Sequence, residues 1–484
     1  MGRWLAGAAV VVALAGAACT PVPRTPRPDT PVPAPGDALL PAHLDCLRWR
    51  YDGLTPTRPT EWNEDGEYRF GSFRDETTAN SPHRLCGQVG AAADLAWSID
   101  RGSPEVVVAV LDSGVLWRDE EKMVDLADQT YINRDELPTP QPAGGAADPD
   151  DSNGDGRFTV TDFAADPRVT DANGSGFLDP EDLILTFSDG TDGDGNTYVD
   201  DISGWDLQND DNNPLDDVEY GHGSGEARDA VGAHNGVGDY GTCPECLALH
   251  VRVADSFIAE GGRFAAGVIF GLDAGADVIL EALGAISNPP QAQAAIDAAY
   301  HRGVPVAASM ADEQSQHANL PAAMNHTIPL NSITELPDLS TISKFVGGQR
   351  EAQLVNGCTN FGGIAWVSVP STGCSSEATG NGAGMLGLIN SAARNAGVAP
   401  HPDLAARGAG GPGDNVLSAN ETAQLVRAGA DDIDFATPNS VDPANAFTDQ
   451  FGQPRFPTAK GWDATHGYGQ INLYESVRSE EPHV

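Results

Sequence analysis

Val106-Val107-Val108-Ala109-Val110-Leu111 is an unbroken apolar run, mostly valine, that ends in Asp112. Branched residues with no polar alternation suit a strand buried on both faces. Such strands belong to parallel sheets covered by helices on either side. Similar runs recur at residues 247–253, 277–283, 304–310 and 327–333. Helical patterns lie between them, one over residues 264–274 and another over 291–301. Strands alternating with helices predict an α/β fold: a doubly wound, mostly parallel sheet with helices on both faces. Ligands in such folds sit beyond the carboxyl ends of the strands. That is where the first run puts Asp112.

Two further stretches stand out. Gly221-His222-Gly223-Ser224 sets a histidine between glycines. Gly373-Cys374-Ser375-Ser376-Glu377-Ala378-Thr379-Gly380-Asn381-Gly382-Ala383-Gly384 reads as a tight turn that passes into a small-residue helix. Ala378, Ala383 and Gly384 would let that helix run close to neighbouring backbone. A serine at a helix start is a sensible nucleophile, because backbone N–H groups converge there on a developing oxyanion. Taken singly, the serine is an ordinary cap and the histidine an ordinary turn residue.

In the order Asp112, His222, Ser376 the three stretches resemble the subtilisin-like serine peptidases, or subtilases. The match is close at Asp112 and over His222-Gly223-Ser224, where the family usually has His-Gly-Thr. The family pattern Gly-Thr-Ser-x-Ala-Thr-Pro-x-x-Ala-Gly becomes residues 374–384 here. Aligning Ala378-Thr379 and Ala383-Gly384 selects Ser376 over Ser375 and puts Gly380 where the family has proline. The resemblance covers roughly residues 85 to 479. It implies hydrolysis of protein or peptide substrates by acyl transfer, with Ser376 as nucleophile, His222 as base and Asp112 as its partner. It also implies an asparagine to complete the oxyanion hole. In Ala307-Ala308-Ser309-Met310-Ala311-Asp312-Glu313, ahead of Leu320-Pro321-Ala322-Ala323, that position is Asp312. Ionised, Asp312 would repel the oxyanion; protonated, it could serve as donor. By the same resemblance Ala282, Leu283 and Gly284 form one wall of the substrate pocket and Ala311 lies opposite. The competing reading is a silenced scaffold that acts as a calcium-dependent binding protein, with Asp312 and Gly380 as its support.

The net charge of −43 excludes a generic nucleic-acid binder. The acids cluster: residues 148–219 hold 21 Asp and Glu against Arg157 and Arg168. Asp151, Asn153, Asp155, Arg157 and Asp162 fall at positions one, three, five, seven and twelve of an EF-hand-like loop, with glycine at six. Asp171, Asn173, Ser175, Phe177 and Asp182 repeat it 20 residues later. Asp192, Asp194, Asn196, Tyr198 and Asp201 begin a third loop that resembles a calcium-binding segment of many subtilases. Spaced short oxygen side chains suit Ca²⁺; the plainer reading is a solvated acidic loop.

Residues 1–18 read as an export signal, since the apolar stretch is too short to span a bilayer. Ala17-Ala18-Cys19 resembles a bacterial lipobox with Cys19 lipidated, the alternative being ordinary cleavage. Residues 19–36 form a Pro-rich tether, 37–98 a lead-in, and 99–479 the peptidase domain with its acidic insertion at 148–220. The expected location is extracytoplasmic, at the bacterial cell envelope through the lipid anchor or secreted, and the expected state a monomer. Proximity favours disulfides Cys243–Cys246 and Cys358–Cys374, leaving Cys46–Cys86. Cys243-Pro-Glu-Cys246 could instead be redox-active or half a zinc site.

Overall fold

The computed structural model describes residues 91–142, 144–145, 148, 151–235, 240–317, 319–335, 352–371, 373–398, 416–433 and 459–478. The stretches expected to form an export signal and a tether, with Cys19, Cys46 and Cys86, lie outside the described residues. Strands, in chain order, are β1 (Val107–Asp112), β2 (Trp205–Asp206), β3 (Leu247–Arg252), β4 (Ile258–Ala259), β5 (Val278–Glu281), β6 (Gly284–Ala285), β7 (Val306–Ser309), β8 (Thr327–Glu335), β9 (Ala352–Val355) and β10 (Val367–Pro370). Helices are α1 (Ala93–Ala96), α2 (Glu120–Leu126), α3 (Pro180–Phe187), α4 (His222–Val231), α5 (Gly261–Asp273), α6 (Pro290–His301), α7 (Cys374–Asn395), α8 (Ala419–Gly429) and α9 (Leu473–Arg478).

The main sheet runs β10-β8-β7-β5-β1-β3-β2, all parallel, with β9 added antiparallel to β8. Its centre is β1, and the valine run explains why. Val106, Val108 and Val110 pack into one apolar layer with Ala227, Ala230, Leu386 and Ile389 of α4 and α7. Val107, Ala109 and Leu111 pack into the other with Phe264, Val268 and Ile296 of α5 and α6. Alternate residues of a strand face opposite sides, so a strand that feeds two layers must be apolar at every position. Each fully buried side chain of this size contributes roughly 1.5–3 kcal/mol.

Small residues set how closely α7 meets α4. A Cβ on Gly384 would run into the Ala230 carbonyl and Thr242 Oγ1. Cys374 pairs with Cys358 and Cys243 with Cys246 at disulfide distance, with Cα separations of 5.7 Å and 5.4 Å.

The acidic insertion lies between β1 and α4, and its internal repeat is structural. Asp162 Oδ1 accepts the N–H of Ser152 (2.6 Å) and Asn153 (3.3 Å), and Oδ2 that of Thr159 (3.0 Å). Asp182 does the same 20 residues on, with Ala172 (2.6 Å), Asn173 (3.1 Å) and Asp179 (3.1 Å). Each acid closes its loop and, as the third residue of the helical turn that contains it, caps the start of that turn.

Candidate active site

Asp112 ends β1 and is wholly buried. Its Oδ1 accepts the Ser113 N–H at 2.7 Å and, with Oδ2, faces Nδ1 of His222 at 2.8 and 3.0 Å. His222 is the first residue of α4, reached through Gly221 at φ +74°. Asp216 fixes that entry by accepting the N–H groups of Gly221 (2.7 Å) and Tyr220 (3.2 Å) and the Ser113 hydroxyl (3.0 Å). Gly223 is needed because a Cβ there would stand 2.4 Å from the Gly114 carbonyl oxygen and 3.1 Å from the Asp112 Cβ. The Tyr220 ring stacks on the imidazole, with centroids 5.4 Å apart. Buried Arg252, at the end of β3, binds Asp206 (2.8 Å), Asp255 (2.7 Å) and Asp217, and so holds the acidic segment that leads to His222.

Ser376 is the third residue of α7, and Cys374 before it adopts φ +54°. The neighbouring serines differ. Ser375 is buried, its Oγ held by Asp312 Oδ1 (2.6 Å) and Ser309 Oγ (2.7 Å). Ser376 faces a cavity of about 1080 Å³ that His222, Ala282, Leu283, Gly284, Ala311 and Asp312 also line. Its Oγ donates to the Ala282 carbonyl at 2.9 Å and not to the imidazole. Every residue named from the sequence as catalytic or substrate-binding therefore borders one cavity, save Asp112, which lies behind His222.

Burial opposes a charge on His222, but Asp112, with Glu226 and Asp229, pushes it up to about 10. Burial raises the Asp312 carboxyl while hydrogen bonds from the Ser375 hydroxyl and N–H (2.9 Å) work against that rise. Two buried acids escaped the sequence reading. Glu226 lines the cavity one turn after His222, and Glu281 ends β5 with both carboxylate oxygens lacking a partner among the described residues. Phe257, Ile258 and Ile286 also border the cavity and are 61%, 40% and 79% exposed, an apolar rim beside β4 and β6.

In the insertion, Glu136, Asp194 and Asp201 bring one carboxylate oxygen each within 4.8 Å of one another. Glu136 was not named from sequence, being remote from the repeat. Asn133 Nδ2 bridges Asp194 and Asp201 at 3.0 Å each, and Asn196 Nδ2 does the same. Burial, with Asp194 and Glu136 nearby, pushes Asp201 up to about 8. An all-oxygen set with excess negative charge fits a hard divalent cation. Asp192 instead accepts the N–H groups of Gly195, Asn196 and Thr197. Asp151 and Asp171 likewise bind backbone within their own loops.

A family model described as the subtilase family matches residues 103–431. Thermitase of Thermoactinomyces vulgaris is 28% identical over 199 residues, which is 40% of this chain and 69% of thermitase. The prenylagaramide maturation protease PagA superposes with a TM-score of 0.45 at 13% identity, over 81% of this chain and 99% of its own. Fervidolysin from Fervidobacterium pennivorans, a keratinolytic enzyme related to subtilisin, gives 0.45 at 14% identity, over 79% of this chain and 44% of its own.

Proposed function

The chain belongs to the subtilase family, and from that premise we propose that it is a serine endopeptidase working through Asp112, His222 and Ser376. The observation that carries this reading is the Asp112–His222 pair at the edge of the cavity that Ser376 faces. Ser376 Oγ attacks the peptide carbonyl as its proton passes to His222 Nε2, which then returns it to the leaving amine. Asp112 holds the imidazole by Nδ1 and stabilises its charged form. Water releases the acyl group by the same route. The Ser376 N–H, in the first turn of α7, faces the oxyanion, and Asp312, when protonated, adds a donor. The apolar rim of Phe257, Ile258 and Ile286 suits substrates with apolar side chains flanking the scissile bond.

The proposal extends to calcium. Glu136, Asp194 and Asp201 would hold Ca²⁺ and stabilise the insertion, with the loops around Asp151 and Asp171 as further sites. It also extends to export, with Cys19 lipidated at the envelope; the mass of the mature N-terminus tests that. Cleavage of an unfolded protein such as casein tests the activity. Turnover lost in Ser376→Ala and His222→Ala supports it. No turnover in the parent would favour the silenced, calcium-dependent binding scaffold, for which Asp312 is the specific support.

A further inference from the structure

The imidazole has a second carboxylate beside it. Glu226 follows His222 by one turn of α4, and its Oε1 lies 3.7 Å from Nε2, the nitrogen turned away from Asp112. Its Oε2 accepts no hydrogen bond from any described residue, although the side chain is only 7% exposed. Ser376 Oγ, meanwhile, is bonded to the Ala282 carbonyl. The opposing helix makes room for this carboxylate. A Cβ on Gly380 of α7 would come within 2.6 Å of Oε2 and 2.9 Å of the Asp229 Cβ. A buried carboxylate without partners is costly, so the Nε2 edge is what Glu226 has to work on.

We infer, building on the peptidase reading, that Glu226 is a positioning residue of the catalytic centre that competes with Ser376 for Nε2 of His222 and holds the imidazole in a protonated resting form. A ring with an anion at each nitrogen keeps both protons. The neutral ring, which alone can take the Ser376 proton, then forms only at higher pH. The other groups facing the pair come from every element around it. They are Asp112 on β1, Glu281 on β5, Asp312 after β7, Glu377 on α7, Asp229 on α4 and stacked Tyr220 before it. Lys122 of α2, Arg228 of α4 and Glu313 after β7 line the same cavity. Among these, Glu226 is placed at Nε2 itself. Burial pushes its own carboxyl up, with His222 opposing and Asp229, Asp112 and Glu377 adding to the rise. The proton on Nε2 must therefore leave against the pull of Glu226 before Ser376 is activated.

The test is the pH dependence of Ser376 acylation-type labelling by a neutral sulfonyl fluoride, in the parent and in Glu226→Gln and Glu226→Asp. Glu226→Gln should move the midpoint of the rising limb down by about one pH unit or more, so that labelling at a fixed pH on that limb is about tenfold faster. Glu226→Asp, one methylene shorter, should fall between. The ¹⁵N shifts of the His222 ring, followed by titration in Ser376→Ala with and without Glu226→Gln, should show the same downward move without needing activity. Coincident midpoints in both experiments would overturn the role of Glu226. Absence of Ser376 labelling in every variant would instead count against the peptidase reading, and the ring titration would still decide the role of Glu226.

Discussion

At His222 and Asp312, two protonation requirements pull in opposite directions. In the proposed mechanism the base must be neutral, and His222 is pushed up to about 10, so its neutral form grows as pH rises toward that value. kcat/KM should therefore climb through the neutral range. Asp312 can donate only while protonated, and it ionises as pH rises. Asp312→Asn keeps an acceptor for Ser375 and gains a permanent donor. It should extend the alkaline side of the profile and raise kcat there by roughly 10²-fold or more. Steady-state rates across pH check this, and superimposable profiles would contradict it. Glu281 is a second case. Burial, with Asp112 adding, raises its carboxyl well above the usual range while His222 opposes. Below the ordinary carboxyl pKa both folded and unfolded chains hold the proton. Above it the unfolded chain loses it and the folded chain keeps it, so stability falls as pH rises toward the folded value. Glu281→Met should raise Tm more at pH 8 than at pH 4, and a gain that does not vary with pH would contradict this. The sequence made Asp112, His222 and Ser376 legible through their glycine neighbours and their order. Glu226 and Glu281 were not legible. A glutamate in a helical stretch or at the end of an apolar run reads as a surface residue, and only the packing buries it.

Among the elements, the long buried strands and the helices between them could be read from apolar runs, with their ends off by up to three residues. β2, β4 and β6 could not, because two residues carry no period. The apolar rim beside β4 and β6 was missed for the same reason. The repeat of the acidic loops was visible as spacing, but not the use each makes of its closing aspartate as a helix cap. That α7 runs close to neighbouring backbone was expected from its small residues, though not that α4 is the neighbour, and the seam offers a direct check. Gly384→Ala would force a methyl group into the Ala230 carbonyl and Thr242. Overpacking of this kind should cost about 1–3 kcal/mol in chemical denaturation. An unchanged midpoint would mean that the helices are not pressed together there.

For the molecule as a whole, a net charge of −43 makes self-repulsion a standing cost. The insertion is tied to the segment after β1 through Asn213, which accepts from Trp117 Nε1 (2.9 Å) and donates to Glu181 (2.9 Å). Bound calcium would then stabilise more than its own loops. Calcium at 100 times its Kd should add about 2.7 kcal/mol by mass action. Calorimetry should show Tm rising with calcium and falling with chelator. Asp194→Asn combined with Asp201→Asn should blunt both responses. A parent Tm indifferent to chelator would remove calcium from the proposal. The catalytic centre itself is tested most directly by fluorophosphonate labelling of the full chain followed by peptide mapping. The predicted result is modification of Ser376 that survives Ser375→Ala and is lost in His222→Ala. Modification at another residue, or none at all, would contradict the proposed centre.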